Sequence, residues 1–141
     1  MYRIVLAIVA AAAMLAACGS SDSSTSAECV ALDVDKLAQI AEGLTNEAAE
    51  VTAGVAVEVP EPDRAAGVAW AAAVVVDLDG DAETAILGLG DVAAVGVVLA
   101  ADHVARALFT WGEATEDGSP AGDFRDWLVS SDPASAAASC L

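Results

Sequence analysis

An uninterrupted apolar run near the N-terminus limits which part of this chain can form a folded domain. Residues 4–17 carry no polar or charged side chain and follow the positive charge of Arg3. A membrane-spanning helix needs roughly 20 apolar residues, and this run has fourteen. A short apolar run after a basic residue is typical of the central region of an export signal. We therefore predict that residues 1–17 are a signal peptide that is cleaved, and that the remainder of the chain folds.

The end of the apolar run carries a second signal. It reads Leu15-Ala16-Ala17-Cys18 and resembles the lipobox of bacterial lipoproteins, in which a large aliphatic residue and two small residues precede an obligatory cysteine. The resemblance implies cleavage before Cys18, a diacylglyceryl group on its thiol, often a further acyl chain such as palmitate, and anchoring at the extracytoplasmic face of the cell membrane. Each buried CH₂ contributes roughly 0.8 kcal/mol, so a two-chain anchor is stable. The alternative is an ordinary secretory signal with an incidental cysteine.

Two segments follow the signal. Residues 18–28 are rich in serine and contain no large apolar side chain. This composition is typical of a flexible linker, so we expect a tether between the lipid and the domain. Residues 29–141 have the length of one domain.

Acidic residues outnumber basic residues, with 22 Asp and Glu against 5 Lys and Arg and a formal net charge of −17. This charge repels nucleic-acid phosphates and anionic lipid headgroups, so we predict no nucleic-acid partner and no membrane contact through a basic patch. A basic protein of the envelope or divalent cations would suit such a surface. The only histidine, His103, and the only lysine, Lys36, leave few groups for acid–base or nucleophilic chemistry.

Cysteines mark both ends of the predicted domain. If Cys18 carries lipid, Cys29 and Cys140 remain, and export would place them in an oxidising compartment where such a pair usually forms a disulfide. Closing a loop of about 100 residues stabilises a fold by roughly 4–5 kcal/mol in the chain-entropy model. Two free thiols are the alternative.

Helical and strand periodicities alternate in the first half of the domain. Asp33 or Asp35 can cap a helix, whose apolar positions recur at helical spacing. These positions are Leu37, Ile40, Ala41, Leu44 and Ala48. Val55, Val57 and Val59 then alternate as in a half-buried strand, which Pro60 ends because proline cannot donate to a ladder.

The strongest strand signal covers residues 67–78, which are apolar on both faces and therefore predict a central strand. Asp79-Gly80 is typical of a hairpin turn. A two-residue loop would place Glu83 opposite Val76. A three-residue loop would place Thr84 there and Ile86 opposite Val74, and we prefer this register. A further strand is predicted over residues 95–99.

Helical signals return towards the C-terminus. Asp102 can cap a helix that ends at Gly112. Asp102 and Arg106 are four residues apart and are expected to form an ion pair. The apolar face of this helix holds Val104, Ala107, Leu108 and Trp111. Asp132 can cap a short helix with Pro133 at its first position, which would carry Cys140 back to Cys29. The intervening Phe124, Trp127 and Leu128 are expected to dock on the core.

These elements predict an α+β domain: a small antiparallel sheet of three to four strands, packed against an N-terminal helix and a C-terminal helix pair and closed by the terminal disulfide. We expect the helices to cover one face of the sheet and to bury Trp70 and Trp111. Residues 37–45 and 109–113, with the cysteine near the C-terminus, are similar to small uncharacterised exported lipoproteins of high-GC Gram-positive bacteria. That resemblance implies a fold and a cellular location, and it implies no particular activity.

Four carboxylates form the sharpest polar cluster, at the predicted hairpin tip: Asp77, Asp79, Asp81 and Glu83. Carboxylate oxygens are suitable ligands for calcium. An EF-hand loop, however, needs glycine at its sixth position and glutamate at its twelfth. Counting from Asp77, glycine stands at the fourth and twelfth positions, so the motif does not match. We therefore expect an acidic, solvated tip and keep weak calcium binding as an alternative.

Other candidate residues have plainer interpretations. His103 lacks further ligands at metal spacing, so we expect an exposed helical residue. Ser119 lacks the second glycine of a nucleophile elbow and is expected to be a loop serine. Trp111 and Trp127 could line a ligand groove, although core packing is the simpler interpretation. No motif for a cofactor is present.

The sequence therefore favours a non-enzymatic binding or interaction module of the cell envelope, with no catalytic residues. Alternatives are a small accessory or hydrolytic enzyme that uses paired carboxylates, a weak calcium-binding surface protein, and a purely structural or antigenic surface protein.

Overall fold

The strands of the sheet follow one another in chain order, each antiparallel to its neighbours. The computed structural model describes residues 28–111 and 116–141. The strands are β1 (Cys29–Ala31), β2 (Ala49–Glu58), β3 (Trp70–Leu78), β4 (Asp81–Leu89) and β5 (Val98–Ala100). The helices are α1 (Val34–Ala41), α2 (His103–Leu108), α3 (Pro120–Val129) and α4 (Asp132–Ser139), with a 3₁₀ turn at Glu61–Asp63. The predicted α+β class is confirmed, with five strands where we expected three to four.

β3 lies at the centre of the sheet and is buried on both faces. On one face Val74 and Val76 belong to a core cluster with Ile40 of α1 and Phe109, which follows α2. On the other face Ala71 and Ala73 belong to a second cluster, which α3 and α4 complete with Phe124, Leu128, Ala134 and Ala137. Our expectation that helices would cover one face was wrong. Both faces of β3 are apolar, so leaving either face in water would forgo the burial that stabilises the sheet.

The turn between β3 and β4 corrects the predicted register. Asp79 and Gly80 have φ angles of +54° and +92°, and they form a two-residue loop that places Glu83 opposite Val76. The longer loop that we preferred, with Thr84 opposite Val76, was therefore wrong. Turns with positive φ at both central residues match the right-handed twist of the flanking strands, and aspartate followed by glycine tolerates that conformation.

The first helix begins as predicted and ends early. The Asp33 carboxylate caps α1 by accepting a hydrogen bond from the backbone N–H of Lys36 at 2.9 Å. The helix ends at Ala41, whereas the apolar spacing suggested a continuation to Ala48. Just after the helix end, Gly43 lies against the indole of Trp111, which leaves no room for a Cβ atom and therefore requires glycine at this position.

β2 begins at Ala49, well before the valines that predicted it. The last strand is also displaced, because β5 covers Val98–Ala100 and Val95 lies in the preceding loop with 86% of its surface exposed.

Asp102 caps α2, as predicted, and its carboxylate also accepts the backbone N–H of Ile86 on β4. With both bonds made inward, the predicted pair with Arg106 does not form; the Arg106 guanidinium lies 4.0 Å from Asp117 instead. α2 ends at Leu108, so Trp111 lies outside the helix. Its indole N–H donates to the Ile40 carbonyl at 2.8 Å, and both Trp111 and Trp70 are half-buried against the first cluster.

Two details near the C-terminus differ from the predictions. The docking segment is itself a helix, α3, and the predicted loop residue Ser119 is its N-cap, accepting the Gly122 N–H at 3.0 Å. Phe124 and Leu128 are buried as expected, whereas Trp127 is 38% exposed. The cap of α4 is Ser131, with Asp132 in the first turn.

The predicted disulfide between Cys29 and Cys140 is confirmed and joins residues 111 positions apart. α4 packs against β2 and β3 and thereby carries Cys140 to β1 at the edge of the sheet. The bond therefore fixes the edge strand to a helix on the second face.

We expect the double variant Cys29→Ser with Cys140→Ser to lower the free energy of unfolding by about 4 kcal/mol, because the unfolded chain regains the entropy of a long open loop. Urea denaturation of the wild type and the variant measures the difference. A reducing agent should weaken the wild type and leave the variant unchanged; equal midpoints without reductant would contradict the prediction.

Candidate functional site

The two edge strands leave one end of the sheet uncovered. β1 pairs only with residues 55–57 of β2, and β5 pairs only with residues 87–89 of β4. Residues 49–53 of β2 and 81–85 of β4 therefore each have one edge without a strand neighbour in the described part of the chain. We call this end, formed by residues 47–53 and 75–85, the acidic end.

Six carboxylates lie at the acidic end: Glu47, Glu50, Asp77, Asp79, Asp81 and Glu83. None of them forms an ion pair among the described residues, where the ion pairs involve Glu58, Asp117 and Asp126. Glu50 stands directly opposite Asp77 in the β2–β3 ladder. Like charges in this position repel each other, so the acidic end carries a negative potential that the described cations do not neutralise.

The carboxylates of the predicted tip cluster do not converge. Side chains alternate between the faces of a strand, so Asp81 and Glu83 project to the face of Val76, and Asp77 projects to the opposite face. The Asp77 carboxylate accepts the backbone N–H of Gly80 at 2.9 Å. Within the described residues no group of three or more metal-ligating side chains is present, so the geometry lends no support to a calcium site.

An open groove of about 710 Å³ runs between α1 and the start of β2. Its apolar lining comprises Val34, Leu37, Ala38, Ala41, Leu44, Ala49 and Val51. Val34 exposes 76% of its surface. Glu47 and Glu50 also border the groove. Because Glu50 projects to the opposite face of the strand from Val51, its charge lies at the rim, and the interior of the groove is apolar. A smaller hollow of about 220 Å³ is lined by Trp70 together with residues of β1 and β2.

α1 is held in place by Lys36, whose role the sequence analysis did not foresee. Lys36 is only 1% exposed, and its ammonium group donates to the Gln39 side chain at 2.7 Å and to the Ala94 carbonyl at 2.9 Å. Gln39 in turn donates to the Gly96 carbonyl at 3.1 Å. The loop between β4 and β5 is thereby tied to the helix that lines the groove. The sequence feature that could have indicated this role is the position of a lone lysine in the first turn of an amphipathic helix.

The surroundings of Lys36 and Asp91 lower the pKa of both groups. Burial lowers the pKa of Lys36 from its usual 10.5, and the charges of Asp91 and Asp33 oppose this shift. Backbone hydrogen bonds from Ala93 and Ala94 lower the pKa of Asp91, with a smaller contribution from Lys36. Asp91 therefore stabilises the loop above its usual pKa, and this stabilisation is lost as acid protonates it.

The lowered pKa of Lys36 predicts a pH dependence of stability. Between the folded pKa and 10.5 the unfolded chain binds more protons than the folded chain, so stability contributed by Lys36 rises with pH across this window. We expect Lys36→Met to abolish that rise and Gln39→Met, which keeps the amine, to retain it. Urea denaturation near neutral pH and near 10.5 compares them; equal pH dependence in both variants would refute the assignment.

A second buried cation organises the C-terminal face. Arg125 on α3 is 1% exposed and pairs with Asp117 and, at 3.4 Å, with Asp126. The contact with Asp117 ties α3 to the segment before it, whereas Asp126 lies within α3 itself. Nothing in the local sequence pattern distinguishes a buried arginine from an exposed one, so this residue was not predicted.

The remaining candidates lie apart from the groove. His103 is an exposed residue at the start of α2, as predicted. Trp111 packs against the core through its bond to Ile40, and Trp127 packs beside Phe124 with ring centroids 5.5 Å apart. Cys18, the signal at residues 1–17 and the tether before residue 28 lie outside the described residues. Among the described residues, no helix has both the length and the apolar character required to cross a bilayer.

Fold and site together define an acidic, disulfide-closed α+β domain with an exposed groove. Comparison with models of protein families, with curated proteins and with solved structures finds no match for this chain.

Proposed function

We propose that this protein is a lipoprotein of the cell envelope, anchored through a diacylglyceryl group on Cys18 to the extracytoplasmic face of the membrane, and that it acts there as a non-enzymatic interaction module. The acidic end is the observation that carries the interaction role. Its six carboxylates have no cationic partner among the described residues, and a basic protein would supply the missing charges. The disulfide supports export, because such bonds persist in oxidising compartments.

The position of the tether supports this orientation. The tether joins the domain at Cys29, which pairs with Val57 near the end of β2, whereas the acidic end lies at the start of that strand. β2 has ten residues and spans about 30 Å. The acidic end thus points away from the attachment point, and away from the anionic surface that would repel it.

The tether length suits a module that reaches into the envelope. If the eleven serine-rich residues at positions 18–28 form the proposed tether, a linker of that length would give a typical end-to-end distance of about 18 Å and a full extension of about 40 Å. This separation leaves the groove and the acidic end accessible to a partner outside the lipid headgroups.

Lipid anchoring predicts the behaviour of a Cys18→Ser variant. Without the acceptor thiol, the protein should leave the membrane fraction or accumulate with its signal uncleaved. Detergent phase partition followed by mass analysis of the N-terminus distinguishes these forms from the acylated protein. Ser20→Ala is the matched control and should stay in the membrane fraction. Unchanged fractionation and cleavage of Cys18→Ser would refute the anchor.

The interaction role predicts that partner capture depends on charge at one end of the domain. Crosslinking in intact cells should capture a basic protein on the wild type and lose it on the first of two triple variants. This first variant carries Glu50→Gln, Asp81→Asn and Glu83→Gln. The second carries Glu61→Gln, Asp63→Asn and Glu116→Gln, has the same net charge and should retain capture. Equal capture by both variants would show that the acidic end is not the contact.

A further inference from the structure

The groove beside α1 lies along an unpaired edge of β2. β1 pairs with residues 55–57, and Leu32 adds a hydrogen bond to the Gly54 carbonyl at 2.9 Å. Beyond this bond, the Ala49 N–H donates to the Asn46 carbonyl at 3.1 Å, and no strand among residues 28–111 and 116–141 pairs with the outer edge of residues 50–53. An unpaired edge presents N–H and C=O groups that can pair with another strand.

The two faces of this edge differ in chemistry. Ala49 and Val51 project to the face of the first core cluster, where α1 presents Val34 and Ala38 across the groove. The other face carries Glu50 opposite Asp77. The register of β2 against β3 shifts between Val51 and Ala53, so the regular part of this edge is residues 49–51. A strand added there would place alternate side chains against apolar surface and against carboxylates, because side chains of a regular strand alternate with a period of two.

We propose that residues 49–53 of β2 bind an extended segment of a basic protein partner, in which apolar residues alternate with Lys or Arg. The apolar side chains pack in the groove below α1, and the cations neutralise the repulsion between Glu50 and Asp77. This proposal rests on the proposed interaction function and specifies its binding mode.

Charge argues against the other occupants of the groove. A second copy of this chain carries the same net charge of −17 and would bring a second Glu50 and Asp77 to the contact, where like charges repel. The chain's own residues 19–27 contain no basic side chain and no large apolar one, so they match neither face.

The test uses the full chain in a non-ionic detergent and a soluble hexapeptide in which valine and lysine alternate. Isothermal titration should detect binding, and NMR should show that the backbone amides of residues 49–53 shift. Glu50→Lys should weaken binding roughly tenfold, whereas Glu61→Lys, the same charge change at the 3₁₀ turn, should have a much smaller effect. Val34→Gln should also weaken binding, with Val95→Gln as its exposed control.

A hexapeptide N-methylated at every backbone nitrogen separates strand pairing from simple charge attraction. Loss of binding on N-methylation supports strand addition. Equal binding of the two peptides overturns strand addition and leaves a basic partner in place. If neither peptide binds, or if Glu50→Lys and Glu61→Lys weaken binding equally, the inference is also overturned. The interaction function would then rest on the crosslinking comparison, which does not depend on the peptide.

Discussion

Burial of both faces of β3 is the constraint on which the rest of the fold depends. A strand with apolar side chains on each face needs a layer on either side of the sheet. The protein supplies α1 and α2 on one side and α3 and α4 on the other. Because Ala71, Ala72 and Ala73 are fully buried, these layers approach the strand closely. The chain is rich in small residues, so its core forms by close packing of the helices on the sheet rather than by large side chains.

The disulfide and the short edge strands give the molecule two different ends. At one end the bond between Cys29 and Cys140 ties β1 to α4 beside the proposed tether. At the other end β2, β3 and β4 extend beyond their edge strands and carry unpaired carboxylates. The covalent closure thus lies near the proposed anchor, and the carboxylates of the acidic end lie at the far end.

Much of this architecture follows from local pattern. The alternation in β3 predicted the central strand. The caps at Asp33 and Asp102 predicted the starts of two helices, and the cysteine positions predicted the disulfide. The turn register was missed because it depends on whether Asp79 adopts a positive φ, which side-chain periodicity does not report. The end of α1 was also missed. Gly43, just after that end, contacts Trp111, which is far away in sequence, and helical periodicity does not report such a contact. The groove depends on where β1 stops, and no motif signals that position.

The placement of β1 also governs how the domain bears load. The ladder bonds of β1 with β2 run across the strands, so tension applied at residue 28 along the strand direction stretches all of them together rather than one after another. Part of that tension crosses the disulfide into α4, which is packed against β2 and β3. A force applied at residue 28 is therefore shared between the sheet and α4. Because the disulfide joins β1 to α4, β1 would stay covalently attached to the domain even if it separated from β2.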